Sequence, residues 1–308
     1  MPVLRIAKRF FWRNPYVLFY SFFFTLLSIV VLAANIILLD LSQATDETKI
    51  SKWIPAAIVL LEMLWTHGFM EALSDFFFES VAIHWYFRER RIENNEETCC
   101  SSLCLTNSMM CRHIGTIVYG HILAYIPETL NTMLGRCEKN CGCCYSSLCF
   151  VHKCVFRQMT KYGYIETILQ SLPFCAANKE MFGLRKRTKS MLPDLYMMGN
   201  FYITLAKIFV VMLSIVVCYI LISQMEGEVL EHPVNITGPL VFVFLASLEI
   251  SNHFMNLTGL VGDTLVFMYT ADLEIEKKNY GEMEPHSCPE SILEVINEIR
   301  VAEAVYDS

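Results

Sequence analysis

Between Trp53 and Phe87 the chain reads WIPAAIVLLEMLWTHGFMEALSDFFFESVAIHWYF, 35 residues without a Lys, an Arg or a Gly-Pro break. About 20 apolar residues at 1.5 Å rise match the hydrocarbon thickness of a bilayer, so the first half alone is long enough to cross one. Yet the run carries His67, Glu71, Asp75 and Glu79 at successive four-residue steps. On a helix these fall along one slowly drifting stripe. Acids at membrane depth are expensive unless they face protein or a water-filled cavity. Two readings follow: the stripe lines a cation or proton pathway, or residues 53–72 span and 73–87 lie at the cytoplasmic surface with their acids solvated.

The rest of the composition agrees with a membrane setting. Of 308 residues, 54% are hydrophobic and 18% charged, and the mean hydropathy is +0.40. Apolar residues bunched into long runs at this balance define an all-α polytopic integral membrane protein. About five to six membrane segments are expected, with amphipathic interfacial helices between them. The net charge of −7 carries little information about partners, because the distribution of Lys and Arg over loops matters more. No cleavable signal peptide is evident: the apolar run after MPVLRIAKRFFWRNP outlasts a signal core. No nucleotide-binding loop, Ser/His/Asp set or paired catalytic motif is present, so neither an enzyme nor a nucleic-acid binder is expected, and no cofactor.

Taken in order, residues 1–14 form a basic cytoplasmic N-terminus able to make a short amphipathic helix with Arg5, Lys8, Arg9 and Arg13. Residues 15–280 form the membrane domain, and 281–308 an acidic cytoplasmic tail. Tyr16–Leu39 is a spanning helix. The Trp53–Phe87 run returns inward and ends at RERR, with Trp85 and Tyr86 read as interface anchors. Residues 93–112 read as a loop, and His113–Leu134 as a membrane segment broken by Pro127. Residues 136–193 form a Cys-rich basic loop, with nine Lys or Arg against three acids over 137–193 and an amphipathic helix around 155–172. Leu195–Ser223 and Pro239–Ala271 are the last spans. The segment between them, MEGEVLEHPVNITG, has three glutamates and no Lys or Arg, which places it outside. Five simple crossings cannot leave the N-terminus, the basic loop and the C-terminus all in the cytosol. Either the Pro127 segment is re-entrant, or 73–87 ends elsewhere.

Several stretches resemble the choline transporter-like family. Trp65-Thr66 with Phe69 and Ala72, ending in Trp85-Tyr86-Phe87, is similar to its W-T-x-x-F-x-x-A … Y-F segment. His113-x-Gly115-Thr116 with Gly120 is similar to its Y-H-x-G-[ST]-x-x-x-G segment. The cluster CGCCYSSLC resembles a further Cys-rich stretch of the family. Tyr164 followed by Phe174-Cys175 and Asn178-Lys179-Glu180, then Leu205-Ala206-Lys207, then Gly262-Asp263-Thr264-Leu265 and Ala271-Asp272-Leu273-Glu274, resemble later motifs in the same order. Together they cover most of residues 60–280, roughly the C-terminal half of a typical member. The chain departs from the family pattern at Glu71, Asp75, Glu79 and His121, where that pattern has uncharged or small residues.

The resemblance implies a solute carrier that moves choline or a related organic cation through the plasma membrane by alternating access, with proton coupling as one option. It leaves open a second reading, a shortened, non-transporting membrane protein acting as an interaction or regulatory subunit. A homo-oligomer is a further expected partner, besides the lipid bilayer. A quaternary ammonium cannot donate hydrogen bonds, so its site needs aromatic faces with an anion nearby. The aromatics available inside apolar segments are Trp65, Phe69, Trp85, Tyr119 and Tyr125, with Trp65 and Tyr119 the candidates for the pathway, and Glu71, Asp75 and Glu79 are the candidate anions. In the last span Glu249, His253, Asn256 and Asp263 recur at helical spacing, giving a polar face. His253 and Asp263 join the candidate pathway, while a Lys207–Asp263 ion pair is the plain structural alternative. His67, His121 and His253 are candidate proton relays or ordinary bundle histidines. Cys137, Cys141, Cys143, Cys144, Cys149 and Cys154 lack two clean C-x-x-C pairs, so reduced or palmitoylated thiols are expected and no metal site. The sequon at Asn235 is a candidate glycosylation site in the outer loop.

Overall fold

The run after Pro15 has no Lys or Arg before Leu41 and folds as the 28-residue helix α2 (Tyr16–Gln43). Its periodicity is inverted relative to a soluble helix. Val17, Ser21, Phe24, Thr25, Ser28, Leu32 and Asn35 are covered by protein at alternating threes and fours, whereas Phe19, Phe22, Leu26, Val30 and Ile37 point outward. Small hydroxyl residues let neighbouring backbones approach, and Thr25 Oγ1 donates back to the Ser21 carbonyl at 2.8 Å, which satisfies it locally. Before it, α1 (Pro2–Arg13) stops because the Asn14 amide and its Nδ2 both donate to the Phe10 carbonyl, at 3.0 and 3.1 Å, and Pro15 cannot continue the ladder.

The computed structural model describes residues 2–43, 49–93, 101–125, 162–191, 193–228, 237–279, 288–290 and 292–298. Among them the regular elements are all helical: α1, α2, α3 (Lys49–Glu93), α4 (Ser101–Gly120) running into a π-turn at His121–Tyr125, α5 (Gly163–Gln170), α6 (Phe174–Met191), α7 (Pro193–Glu228) and α8 (Thr237–Asn279). Residues 292–298 are helical as well. Among the described residues four helices are long and apolar enough to cross a membrane, by length and composition: Tyr16–Leu41, Ile54–Glu89, Phe201–Gln224 and Thr237–Lys278. The five to six membrane segments expected from the sequence are near that number. The segment starting at His113 is not among the four; it is described only to Tyr125.

Two sequence expectations need correction. The stretch 93–112 is not a loop throughout, because α4 begins at Ser101. Ser, Thr, Asn and Cys are weak helix formers, but Thr106 and Ile117 on this helix are fully buried, and tertiary packing overrides propensity. Trp85 and Tyr86 are not interface anchors: both are buried, with Trp85 edge-on to Phe10 of α1 at 5.4 Å between centroids.

The residues cluster into two compact units, each assembled from separate stretches. The first comprises Met1–Pro15, Gly68–Tyr196 and Leu260–Ser308. Its core is the second half of α3, where Ala72, Phe76, Phe77, Val81, Ala82 and Tyr86 are buried on every side, together with Val261, Leu265 and Phe267 of α8. A helix apolar all round is a helix surrounded by protein. The second unit comprises Tyr16–His67 and Met197–Gly259. Its α7 shows Phe201, Leu205, Phe209, Met212 and Leu213 outward, as a lipid-facing helix does.

Glycines set the closest approaches in the first unit. A Cβ on Gly163 would overlap the Asn178 amide, whereas a Cβ on Gly115 would meet nothing within 4 Å. Gly163→Ala is therefore expected to lower the thermal midpoint of the purified protein by the equivalent of about 1–3 kcal/mol, the usual overpacking cost. Gly115→Ala should hold it or raise it by up to about 1 kcal/mol, the helix-propensity gain. Equal midpoints for the two variants would contradict this packing.

Candidate functional site

The acid stripe lies on α3 within the first unit, and it is enclosed by protein. Asp75 is 4% exposed and Glu79 is fully buried, with the adjacent Ser74 and Ser80 buried as well, while Glu71 is partly exposed. The solvated-surface reading therefore does not describe Asp75 and Glu79. Buried carboxylates require polar or cationic company, because an uncompensated charge in a low-dielectric interior is unfavourable by several kcal/mol or more.

Aromatic groups gather at the same place. Tyr164 of α5 is fully buried. Its ring stands edge-on to Phe76 at 5.7 Å and tilted to Phe174 at 5.2 Å, and its hydroxyl donates to the Ile117 carbonyl of α4 at 3.1 Å. Burial raises the Tyr164 hydroxyl pKa well above its ordinary value, and the charges of Glu79 and Asp75 raise it further. Those two carboxylates therefore act on the Tyr164 hydroxyl electrostatically. The approach depends on Gly120, where a Cβ would lie 2.5 Å from Tyr164 Oη and 2.7 Å from the Phe174 ring. The π-turn begins at the next residue, and such single-turn irregularities occur frequently at functional sites. Its first residue, His121, is buried and lies against Gly68 of α3, where any Cβ would overlap the imidazole. Sequence reading missed Tyr164, Phe76 and Phe174 as site residues. The signal was the Gly120–His121 pair, whose small residue makes room for the ring.

Asp263 also lies in the first unit. It accepts a 2.6 Å hydrogen bond from Tyr162, whose ring lies 5.3 Å from Phe267 and under the Arg185 guanidinium of α6 at 5.4 Å. Further along α8, Asp272 accepts from the Tyr86 hydroxyl at 3.2 Å, and Glu274 pairs with Arg187. Lys207 belongs to the second unit, where its ammonium donates to Asn256 Oδ1 at 2.6 Å. Lys207 and Asp263 each have a partner within their own unit.

The second unit holds a separate ionisable cluster on α2, α3 and α8. Glu249 stands 3.0 Å from His67 Nε2 and 3.9 Å from His253 Nε2, and accepts from Ser28 Oγ at 3.3 Å. The Glu249 side chain is 12% exposed and that of His253 7%. Sequence periodicity placed Glu249 and His253 on one face, but only the fold brings His67 and Ser28 to them. Trp65, in this same unit, is 40% exposed; Tyr119, on α4, is 50% exposed and 3.9 Å from Cys175 Sγ. Among the described residues no cluster of three or more His, Cys, Asp or Glu could hold a metal ion. The cysteines from Cys137 to Cys154, and Asn235, lie outside the described residues.

Among the described residues four apolar helices long enough to span, two of them with buried carboxylates or histidines, define a polytopic helical membrane protein with ionisable groups inside its helices. The chain belongs to the choline transporter family: the family model described as plasma-membrane choline transporter matches residues 1–274. It is 24% identical over 230 residues to choline transporter-like protein 3 of Bos taurus, covering 70% of this chain and 34% of that protein. A CTL-like protein of Dictyostelium discoideum is 24% identical over 248 residues, covering 76% and 43%. Choline transporter-like protein 2 of Salmo salar is 22% identical over 200 residues, covering 60% and 28%. The chain thus spans less than half the length of the curated relatives it matches.

Glu166 of α5 gives a measurable consequence of burial beside this site. Burial raises its carboxyl pKa above the usual range, the Gln170 amide at 2.8 Å lowers it, and Glu180 raises it. A carboxyl raised in the folded state binds its proton more tightly there than in the unfolded chain. Its contribution to stability is full below the unfolded value and is lost as pH rises through the folded one. Glu166→Gln is expected to melt higher than the parent at pH ~7.5, the gap closing below about pH 4 where an unfolded Glu is also protonated. A variant that melts lower at pH ~7.5 would contradict the sign.

Proposed function

We propose that this protein carries choline or a related organic cation across the plasma membrane. The observation that carries the reading is the burial of Asp75 and Glu79 among Phe76, Tyr164 and Phe174, in a chain of the choline transporter family. A quaternary ammonium is recognised by aromatic faces and by negative charge without hydrogen bonds, and this cluster offers both. Glu71, partly exposed one turn earlier on α3, is the acid through which a cation reaches Asp75. Tyr119, an outward-facing aromatic of α4, and Asp263, held by Tyr162, complete the proposed pathway within the first unit; Trp65 and His253 are the candidate residues of the second. The departures from the family pattern at Glu71, Asp75 and Glu79 add negative charge, which supports a cationic substrate.

Proton coupling, in this reading, resides in the second unit. Glu249 with His67 and His253 is a carboxylate–imidazole cluster in which His67, at 3.0 Å, can exchange a proton with Glu249 directly, with His253 3.9 Å away. A second copy of the chain is the proposed partner in an oligomer, and Asn235 is the proposed glycosylation site.

In cells expressing the 308-residue chain, Glu79→Gln and Asp75→Asn should each lower radiolabelled choline uptake about tenfold or more at equal surface abundance. A lost charge partner of ~1.4 kcal/mol is a factor of ten. Glu249→Gln should instead leave uptake at a fixed external pH in place while abolishing its response to an imposed pH gradient. Full uptake in both carboxylate variants would sink the placement of the site. No uptake by the unaltered protein at the surface would favour an interaction or regulatory subunit.

A further inference from the structure

Helix α1 of the first unit is amphipathic in a way the transport reading does not use. Ile6, Ala7 and Phe10 are buried, while Trp12 is 79% exposed. Arg5, Lys8, Arg9 and Arg13 line one recess of about 550 Å³, whose wall is completed by Trp85 and Glu89 of α3. Its depth follows from the chain: Arg13 lies three residues before the first spanning helix, and Glu89 ends the second. A cationic recess beside an outward tryptophan at that boundary is where lipid headgroups sit.

The cations are unequally engaged. Arg13, itself 64% exposed, pairs at 2.6 Å with Glu89, whose side chain is 5% exposed. Arg5 pairs with Glu298 and Arg9 with Glu294 at 2.9 Å, but all four of those side chains are 40–62% exposed. Among the described residues Lys8 has no acidic partner. Exposed ion pairs contribute little, ~1 kcal/mol or less, so a phosphate that brings two charges and three acceptor oxygens can displace them. Glu294 and Glu298 belong to the helical residues 292–298, anchored by the buried Ile292, Val295 and Ile296.

We propose that this recess binds the phosphomonoester headgroup of an anionic phospholipid, and that Glu294 and Glu298 are its built-in competitors. The C-terminal carboxylates occupy Arg5 and Arg9 when the lipid is absent and yield them when it binds. Lipid composition then sets whether the C-terminal helical segment is latched to α1. The inference concerns a surface apart from the proposed transport cluster and stands or falls independently of it.

The test uses the full chain purified in a neutral detergent and titrated, by native mass spectrometry, with dioctanoyl phosphatidic acid. Dioctanoyl phosphatidylcholine and glycerol 3-phosphate are titrated in parallel. Phosphatidic acid should bind at least tenfold tighter than either. Arg5→Gln, Lys8→Gln and Arg9→Gln should each weaken it about fivefold, the factor for one cation near a lipid phosphate. Glu294→Gln/Glu298→Gln should tighten it about fivefold or more, a gain that no folding defect produces. Equal affinity for phosphatidylcholine, or no tightening in the double Gln variant, overturns the proposal. Equal affinity for glycerol 3-phosphate overturns its assignment to a lipid in favour of a free phosphate ester.

Discussion

Two buried carboxylates on one helix, Asp75 and Glu79, are the constraint around which the first unit is arranged. Carboxylates taken out of water without compensation would destabilise any bundle. The fold answers by surrounding the second half of α3: α4 and α5 bring Tyr164 and His121 inward, α8 packs alongside, and α1 closes over Trp85. Gly68 and Gly120 are the small residues that let His121 and Tyr164 come close enough. The expense of burying acids is hard to reconcile with a purely structural role, since apolar residues of similar volume would pack at least as well. Under the proposed function, a cation that enters and leaves gives the acids a reason to be there.

The same physics separates the two units. In the second, ionisable groups occur as small, mutually satisfied sets, with Glu249 between two histidines and a serine, and Lys207 on Asn256. The remaining surface of its helices is Phe, Leu, Val and Ile facing outward. The N- and C-terminal segments meet in the first unit through Arg5, Arg9, Glu294 and Glu298.

Much of this was legible in the sequence, for physical reasons that also mark where legibility stops. Long apolar runs poor in Lys and Arg marked the helices able to span, because hydrocarbon thickness fixes their length. The four-residue steps gave the stripe, and periodicity alone put Glu249 and His253 on one face. Trp85 was misread because an aromatic before an arginine cluster resembles an interface anchor, and only the packing of α1 against it reverses that. The start of α4 was hidden by weak helix formers whose order comes from tertiary burial of Thr106 and Ile117. Tyr164 and Ser28 were invisible as site residues, and the pairing of His67 with Glu249 was not readable, since their partners lie on distant helices, and no local pattern encodes a contact between α5 and α3 or between α2 and α8.

The central claim is that the Asp75–Glu79 cluster binds an organic cation. Equilibrium binding of radiolabelled choline to the purified protein in detergent tests it without requiring transport. The account predicts saturable binding that tetramethylammonium displaces, sodium does not, and Glu79→Gln removes while the protein stays folded. No saturable binding by the folded parent protein, or binding unchanged in Glu79→Gln, would contradict it.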